Sequence, residues 1–195
     1  MINARHCLSS FLIAAVMFTT APVPNASAGN KPPTAEPAEG AIRGQREVKD
    51  VTYGSWRKLC FKAGGAPTLC RTSITGTFTT GQIAVRLDLI ERDGDRKARL
   101  QLFVPVGMYL QHPAKLTVDH GNSYKLPYTW CLSNACIAAD VADPKIVKDM
   151  ESGRVLVLEL VDSNLLSLTT SLPLTQFASV HKGAPAQILE QDIDE

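Results

Sequence analysis

Cys60, Cys70, Cys131 and Cys136 are the side chains whose spacing says most about chemistry in this 195-residue chain. Cys7 precedes an apolar leader and is lost with it, which leaves an even number of thiols. Even counts in an exported chain read as disulfides, because the compartment is oxidising. Three pairings are formally possible. Cys60 with Cys70 and Cys131 with Cys136 are favoured because each pair is close in sequence. A zinc site built from all four thiolates is the rival, but neither pair has the tight C-x2-C spacing of zinc ribbons. A redox couple is also disfavoured, since C-x4-C is not the C-x-x-C of thiol oxidoreductases.

The histidines outside the leader are His112, His120 and His181. Asp119-His120 has the composition of a base with its orienting acid, or of part of a metal site. It also borders the Gly121-Asn122 turn, where exposed polar residues are ordinary. His112 precedes Pro113 in a loop, and His181 closes the domain. The chain contains neither H-E-x-x-H nor G-x-S-x-G, and none of the serines has an evident base nearby in sequence. Asp140, Asp143, Asp149 and Glu151 gather around a short helical stretch. A cation site is one reading of them, and acids that offset a helix dipole are the commoner one. Arg92, Arg96, Lys97 and Arg99 alternate with Glu91, Asp93 and Asp95, the mixed signs of a solvated turn. Tyr124, Tyr128 and Trp130 have the composition of a contact surface. They are equally suited to filling a core. These residues name no catalytic group, no metal site and no cofactor.

The elements that must position them are strands. From Gln82 to Val106 the chain alternates: Ile83, Val85, Leu87 and Leu89 to one face, Gln82, Ala84, Arg86 and Asp88 to the other. Leu100, Leu102 and Val104 repeat the period after Asp93-Gly94, so two antiparallel strands joined by a tight turn are predicted. A hairpin alone is marginal in water and needs a second layer. Val155–Val161 and Leu165–Leu172 supply a second hairpin across Asp162-Ser163-Asn164. Shorter strands are expected at Tyr53–Cys60 around Trp56, Thr68–Ser73, Leu116–Asp119, Ser123–Leu126, Tyr128–Leu132, Ala135–Ala139 and Phe177–Val180. Ser73–Gly81 reads as a turn or edge. Asp143-Pro144 caps the single expected helix, with Ile146, Val147 and Met150 on its apolar face. The sum is an all-β antiparallel sandwich with one short helix.

Outside the sandwich, residues 1–28 have the form of a secretory signal peptide. Leu8–Phe18 is apolar but well short of the roughly 20 residues that span a bilayer, and Ala26-Ser27-Ala28 is a cleavage site. Residues 29–50 form a Pro/Ala-rich flexible linker, the fold occupies residues 51–182, and 183–195 is a polar acidic tail. Cleavage removes Arg5 and no acid, so 20 basic against 19 acidic side chains become 19 against 19. Near-neutrality argues against a nucleic-acid or anionic-lipid partner, which demands a basic excess. No later segment is apolar enough to be an integral membrane span.

The order of landmarks resembles the invasion-associated locus B (IalB) family of Gram-negative bacteria. Trp56-Arg57-Lys58-Leu59-Cys60, Cys70, Leu102-Phe103-Val104-Pro105-Val106-Gly107-Met108, Cys131-Leu132-Ser133-Asn134-Ala135-Cys136 and Leu168–Ala178 carry the likeness, which spans residues 51–182. Ala135 and Gln176 stand where the family commonly has glycine, a departure that bears on local turn shape. The resemblance implies an immunoglobulin-like β-sandwich exported to the periplasm, the outer membrane or the medium. It brings scaffold residues and no catalytic ones, and its namesakes are linked to host-cell invasion and virulence. Two expectations follow: a non-enzymatic protein acting through contacts with an envelope or host-cell protein, or a periplasmic module for a small ligand or cation.

Overall fold

The computed structural model describes residues 41–191. The signal-peptide reading, the linker before residue 41 and the last four tail residues lie outside them. Two sheets pack on one core. The larger holds eight strands: β2 (Val51–Tyr53), β3 (Arg57–Ala63), β4 (Leu69–Phe78), β5 (Ile83–Arg92), β6 (Arg99–Val104), β9 (Tyr128–Cys131), β10 (Cys136–Val141) and β13 (Gln187–Gln191). The smaller holds five: β1 (Gly44–Glu47), β7 (Ala114–Val118), β8 (Ser123–Leu126), β11 (Val155–Val161) and β12 (Leu166–Pro173). Helices α1 (Pro144–Ser152) and α2 (Phe177–Lys182) join them. The all-β sandwich predicted from alternation is therefore what the chain forms.

Strand β5 sits near the middle of the large sheet, in the order β13-β3-β4-β5-β6-β10-β9. Val85, Leu87 and Leu89 face Leu100, Leu102 and Val104 and, across the sandwich, Leu116, Leu156, Leu158 and Leu172. Each fully buried aliphatic side chain contributes about 1.5–3 kcal/mol relative to its exposed state. Trp56 anchors the same core: its indole N–H donates to the Pro173 carbonyl at 2.8 Å, and its ring meets Phe177 edge to face, centroids 4.8 Å apart. Both disulfides close cross-strand pairs, Cys60 with Cys70 and Cys131 with Cys136. Nearest-neighbour bonding follows from the register, which sets the members of each pair opposite one another.

Several local expectations are corrected. Ile83 is 55% exposed instead of joining Val85 in the core. The register slips at Gly76/Thr77, so Ile83 pairs with Thr77 while Val85 pairs with Gly76. One added residue turns the preceding side chain to the other face. Ser73–Gly81 is not a turn: β4 runs on to Phe78, because its Thr-rich half pairs with β5 on one side and β2 on the other. The first strand breaks at Gly54–Trp56 into β2 and β3. Phe177–Val180 is helical, so the fold has a second helix; Phe177 and His181, one turn apart, stack at 5.3 Å. Edge strands extend the domain at both ends. Gly44–Glu47 pairs parallel with β12, and Gln187–Gln191 pairs parallel with β3, so the sandwich is not purely antiparallel. Alternation is too faint in such short polar segments to reveal them; an open sheet edge recruits them.

Candidate functional site: the outer face of the large sheet

Strand pleating places alternate residues on the face turned away from the core. On β5 these are Arg86, Asp88, Ile90 and Arg92. Their register partners continue the pattern. Thr75, Arg86, Phe103, Ile137 and Trp130 form one row across β4, β5, β6, β10 and β9. Ser73, Asp88, Gln101 and Ala139 form the next, and Leu59, Arg71, Ile90, Arg99 and Val141 the third. Arg57 lies opposite Ser73, and Phe61, Leu69 and Arg92 line up at the far end.

This face carries arginines, aromatic rings and one acid. The Arg86 guanidinium lies over the Phe103 ring at 3.7 Å, and Arg71 lies over Phe61 at 5.6 Å. Cation–π contacts of this kind hold a planar cation in place while leaving its N–H groups free to donate. Asp88 sits between the two arginines and is 1% exposed. Its Oδ2 is 3.2 Å from Arg86 Nε, but the two meet as charges without an aligned hydrogen bond, and Asp88 Oδ1 has no partner among the described atoms. Burial pushes the Asp88 carboxyl up, and Arg86 and Arg71 pull it back only in part. Among the described residues, Arg57, Arg71, Arg92 and Arg99 form no ion pair, and Arg57, Arg92 and Arg99 are exposed. Trp130 is 47% exposed at the open β9 edge, with Leu132 and Val141 also exposed.

The three aromatic residues suited either to a contact surface or to a core are divided between the two. Trp130 belongs to this face. Tyr128 turns inward against the core, where burial pushes its phenol up to about 12 and its hydroxyl lacks a partner among the described atoms. Tyr124 is on the other sheet and donates to Asp149 Oδ2 at 2.7 Å; burial and that carboxylate push it up to about 12.

The remaining polar candidates resolve into scaffold contacts. The Asp119 carboxylate accepts the Val155 amide at 3.0 Å and the Arg154 amide at 3.2 Å, and so ties β7 to β11. Adjacent His120 is exposed. Asp143 caps α1 through the Lys145 amide at 2.8 Å, and Asp140 accepts the Val141 amide at 2.7 Å. His181 is the unexpected one. Its Nδ1 is 3.0 Å from Glu151 and its Nε2 3.0 Å from Glu91, so carboxylates occupy opposite ring nitrogens and cannot share one metal ion. Glu91 and Glu151 are far apart in sequence, and no local spacing announces the cluster. The outward arginines had only a faint signal, the placement of Arg86 on the polar face of β5; Arg57, Arg71 and Arg99 lie on separate strands.

Fold and surface together define a disulfide-stapled β-sandwich that presents one broad arginine–aromatic face. The profile of the invasion associated locus B (IalB) proteins matches residues 56–185, and the chain belongs to that family. Its fold is similar to the crystal structure of invasion associated protein B from Bartonella henselae, with a TM-score of 0.57 and 21% identity over 67% of this chain and 90% of that one. At that identity the likeness speaks for the fold. Among curated proteins no significant sequence match is found. No helix of the described residues is long and apolar enough to cross a membrane.

Proposed function

We propose that this chain is an exported protein of the cell envelope that works by binding another protein, without turning over a substrate. The outer face of the large sheet carries this reading. Exposed Trp130 and the arginines on β3, β5 and β6 are the residue types that anchor protein interfaces. Two disulfides suit an oxidising compartment, and the leader-like residues 1–28 suit export. The Bartonella neighbour is called an invasion associated protein, and a contact role at a bacterial or host surface is the reading that follows for this chain.

Fractionation of cells into periplasm, outer membrane and medium tests export; retention of the intact chain in the cytoplasm would reject it. Photo-crosslinkers placed in turn on each sheet's outer face test binding, with a defined adduct expected from intact cells.

A second reading, a small-ligand module, is favoured by one observation. A cleft of about 450 Å³ opens between the sheets, lined by Val51, Phe78, Val85, Met108, Leu160 and Leu168 with Arg46 and Asp50 nearby. Its size falls in the range of ordinary ligand pockets. A thermal-shift panel of metabolites distinguishes the readings, since a ligand selective for the folded chain raises its melting temperature.

A further inference from the structure

We infer that the partner of the outer face is an acidic protein surface, a group of carboxylates flanked by an apolar strip; this rests on the contact reading above. The chain as a whole is close to neutral, with 20 basic and 19 acidic side chains. The outward positions of β3 to β6 are nevertheless one-sided. Arg57, Arg71, Arg86, Arg92 and Arg99 share them with Asp88 alone among acids, and Asp88 is buried. Charge has been segregated onto this face, although the total shows none of it.

The type of cation narrows the partner. Those positions hold arginine and no lysine, and the guanidinium fork matches a carboxylate through two parallel hydrogen bonds. Two of the forks are held in place by Phe103 and Phe61, so less side-chain freedom is lost on binding. The same stacking argues against a nucleic acid. Bases need open ring faces, and these two rings already carry guanidinium groups. Ile90 lies between Arg71 and Arg99, and Trp130 and Val141 supply an apolar flank toward the β9 edge, a mixture of aromatic, aliphatic and arginine side chains suited to a protein interface.

The test uses the full mature chain with both disulfides closed. Of its two tryptophans, Trp56 is buried and Trp130 exposed, so the acrylamide-quenchable fluorescence reports the face directly. Poly-L-glutamate is expected to protect Trp130 from quenching, and poly-L-lysine is not. R86Q/R99Q is expected to weaken poly-L-glutamate binding by about tenfold or more, equivalent to losing two charge-assisted contacts. K125Q, exposed on β8 of the small sheet, serves as the control and leaves binding unchanged. Circular dichroism and melting confirm that the variants fold. Inorganic polyphosphate or phosphatidylglycerol vesicles binding as tightly as poly-L-glutamate would overturn the acidic-protein assignment. So would equal binding by R86Q/R99Q, or protection of Trp130 by self-association alone.

Crosslinkers at Val141, on this face, and Ser171, on the small sheet, separate this inference from the reading beneath it. An adduct from Val141 that maps to an acidic segment and is lost in R86Q/R99Q supports both. An adduct from Ser171 alone retains a contact function and rejects this face, while no adduct from either position rejects both.

Discussion

The imidazole Nδ1 of His181 lies 3.0 Å from a carboxylate oxygen of Glu151, and that contact joins α2 to α1. Lys182 reaches the other Glu151 oxygen at 2.8 Å. The Lys182 hydrogen bond, reinforced by His181 and opposed by burial, holds the Glu151 carboxyl below its ordinary 4.5. A lowered acid stabilises the fold above its unfolded value and loses that contribution as pH falls through the folded one. Melting temperatures of the native chain and E151Q are therefore expected to differ at neutral pH and to converge as pH falls below the unfolded value of 4.5 and through the lowered folded one. Curves that stay parallel would reject the coupling. H181A removes both carboxylate contacts and is expected to cost about 1–3 kcal/mol, a fall of roughly 2–4 °C in Tm per kcal/mol.

Each disulfide bridges a directly opposed strand pair across a short loop, with sequence separations of 10 and 5. The chain-entropy relation gives about 2–3 kcal/mol for each. Opening Cys60–Cys70 by double serine substitution is expected to lower Tm more than opening Cys131–Cys136. The first pair is tied into three sheet strands, β3, β4 and β5, and the second closes only the edge hairpin of β9 and β10, with Cys131 exposed and Cys136 buried. Calorimetry of the two double variants checks the order.

Gly76 is required by a close approach. A methyl group there would lie 2.6 Å from the Tyr53 ring and 2.7 Å from Val51 Cγ1, and the Tyr53 hydroxyl is tethered to Thr170 at 2.8 Å. G76A is expected to destabilise the fold by about 1–3 kcal/mol through overpacking. Adding V51A should recover part of that loss in chemical denaturation. No recovery would place the strain elsewhere.

Asp88 makes a prediction of opposite sign. Its carboxyl is raised by burial more than Arg86 and Arg71 lower it, so the ionised form is disfavoured in the fold. For a raised acid, stability grows as pH falls from neutrality toward the unfolded value of 3.8. D88N is expected to melt no lower than the native chain at pH 7, with any advantage fading in acid. A large loss at pH 7 would show that the arginines depend on Asp88 for their placement.

Much of the fold was legible because burial writes itself into alternation. Leu87, Leu89, Leu100, Leu102, Leu156 and Leu158 are core residues in the structure, as a period of two in half-buried strands requires. Asp143-Pro144 marked the start of α1 for a local reason, a side-chain cap beside a residue with no N–H. Where the signal was short, tertiary context decided. Phe177–Val180 contains too few residues to separate periods of two and 3.6, and packing of Phe177 on Trp56 settles it as helix. The aromatic trio was divided twice: a change of sheet at Pro127 sends Tyr124 on β8 and the other two on β9 to different layers, and a register shift between Ile137 and Ala138 turns Tyr128 and Trp130 to opposite faces.

The sandwich, its hairpins and the local pairing of Cys60 with Cys70 and Cys131 with Cys136 were legible in the chain alone, because they follow from neighbours a few residues apart. Which charges share a surface depends instead on pairing between separate strands. Arg57, Arg71, Arg86 and Arg99 are scattered through a neutral chain, and hydrogen-bond register between strands brings them onto one face. The same long-range pairing brought Glu91 and Glu151 to the two nitrogens of His181. Composition adds charges over the whole chain, while recognition depends on their positions across a sheet.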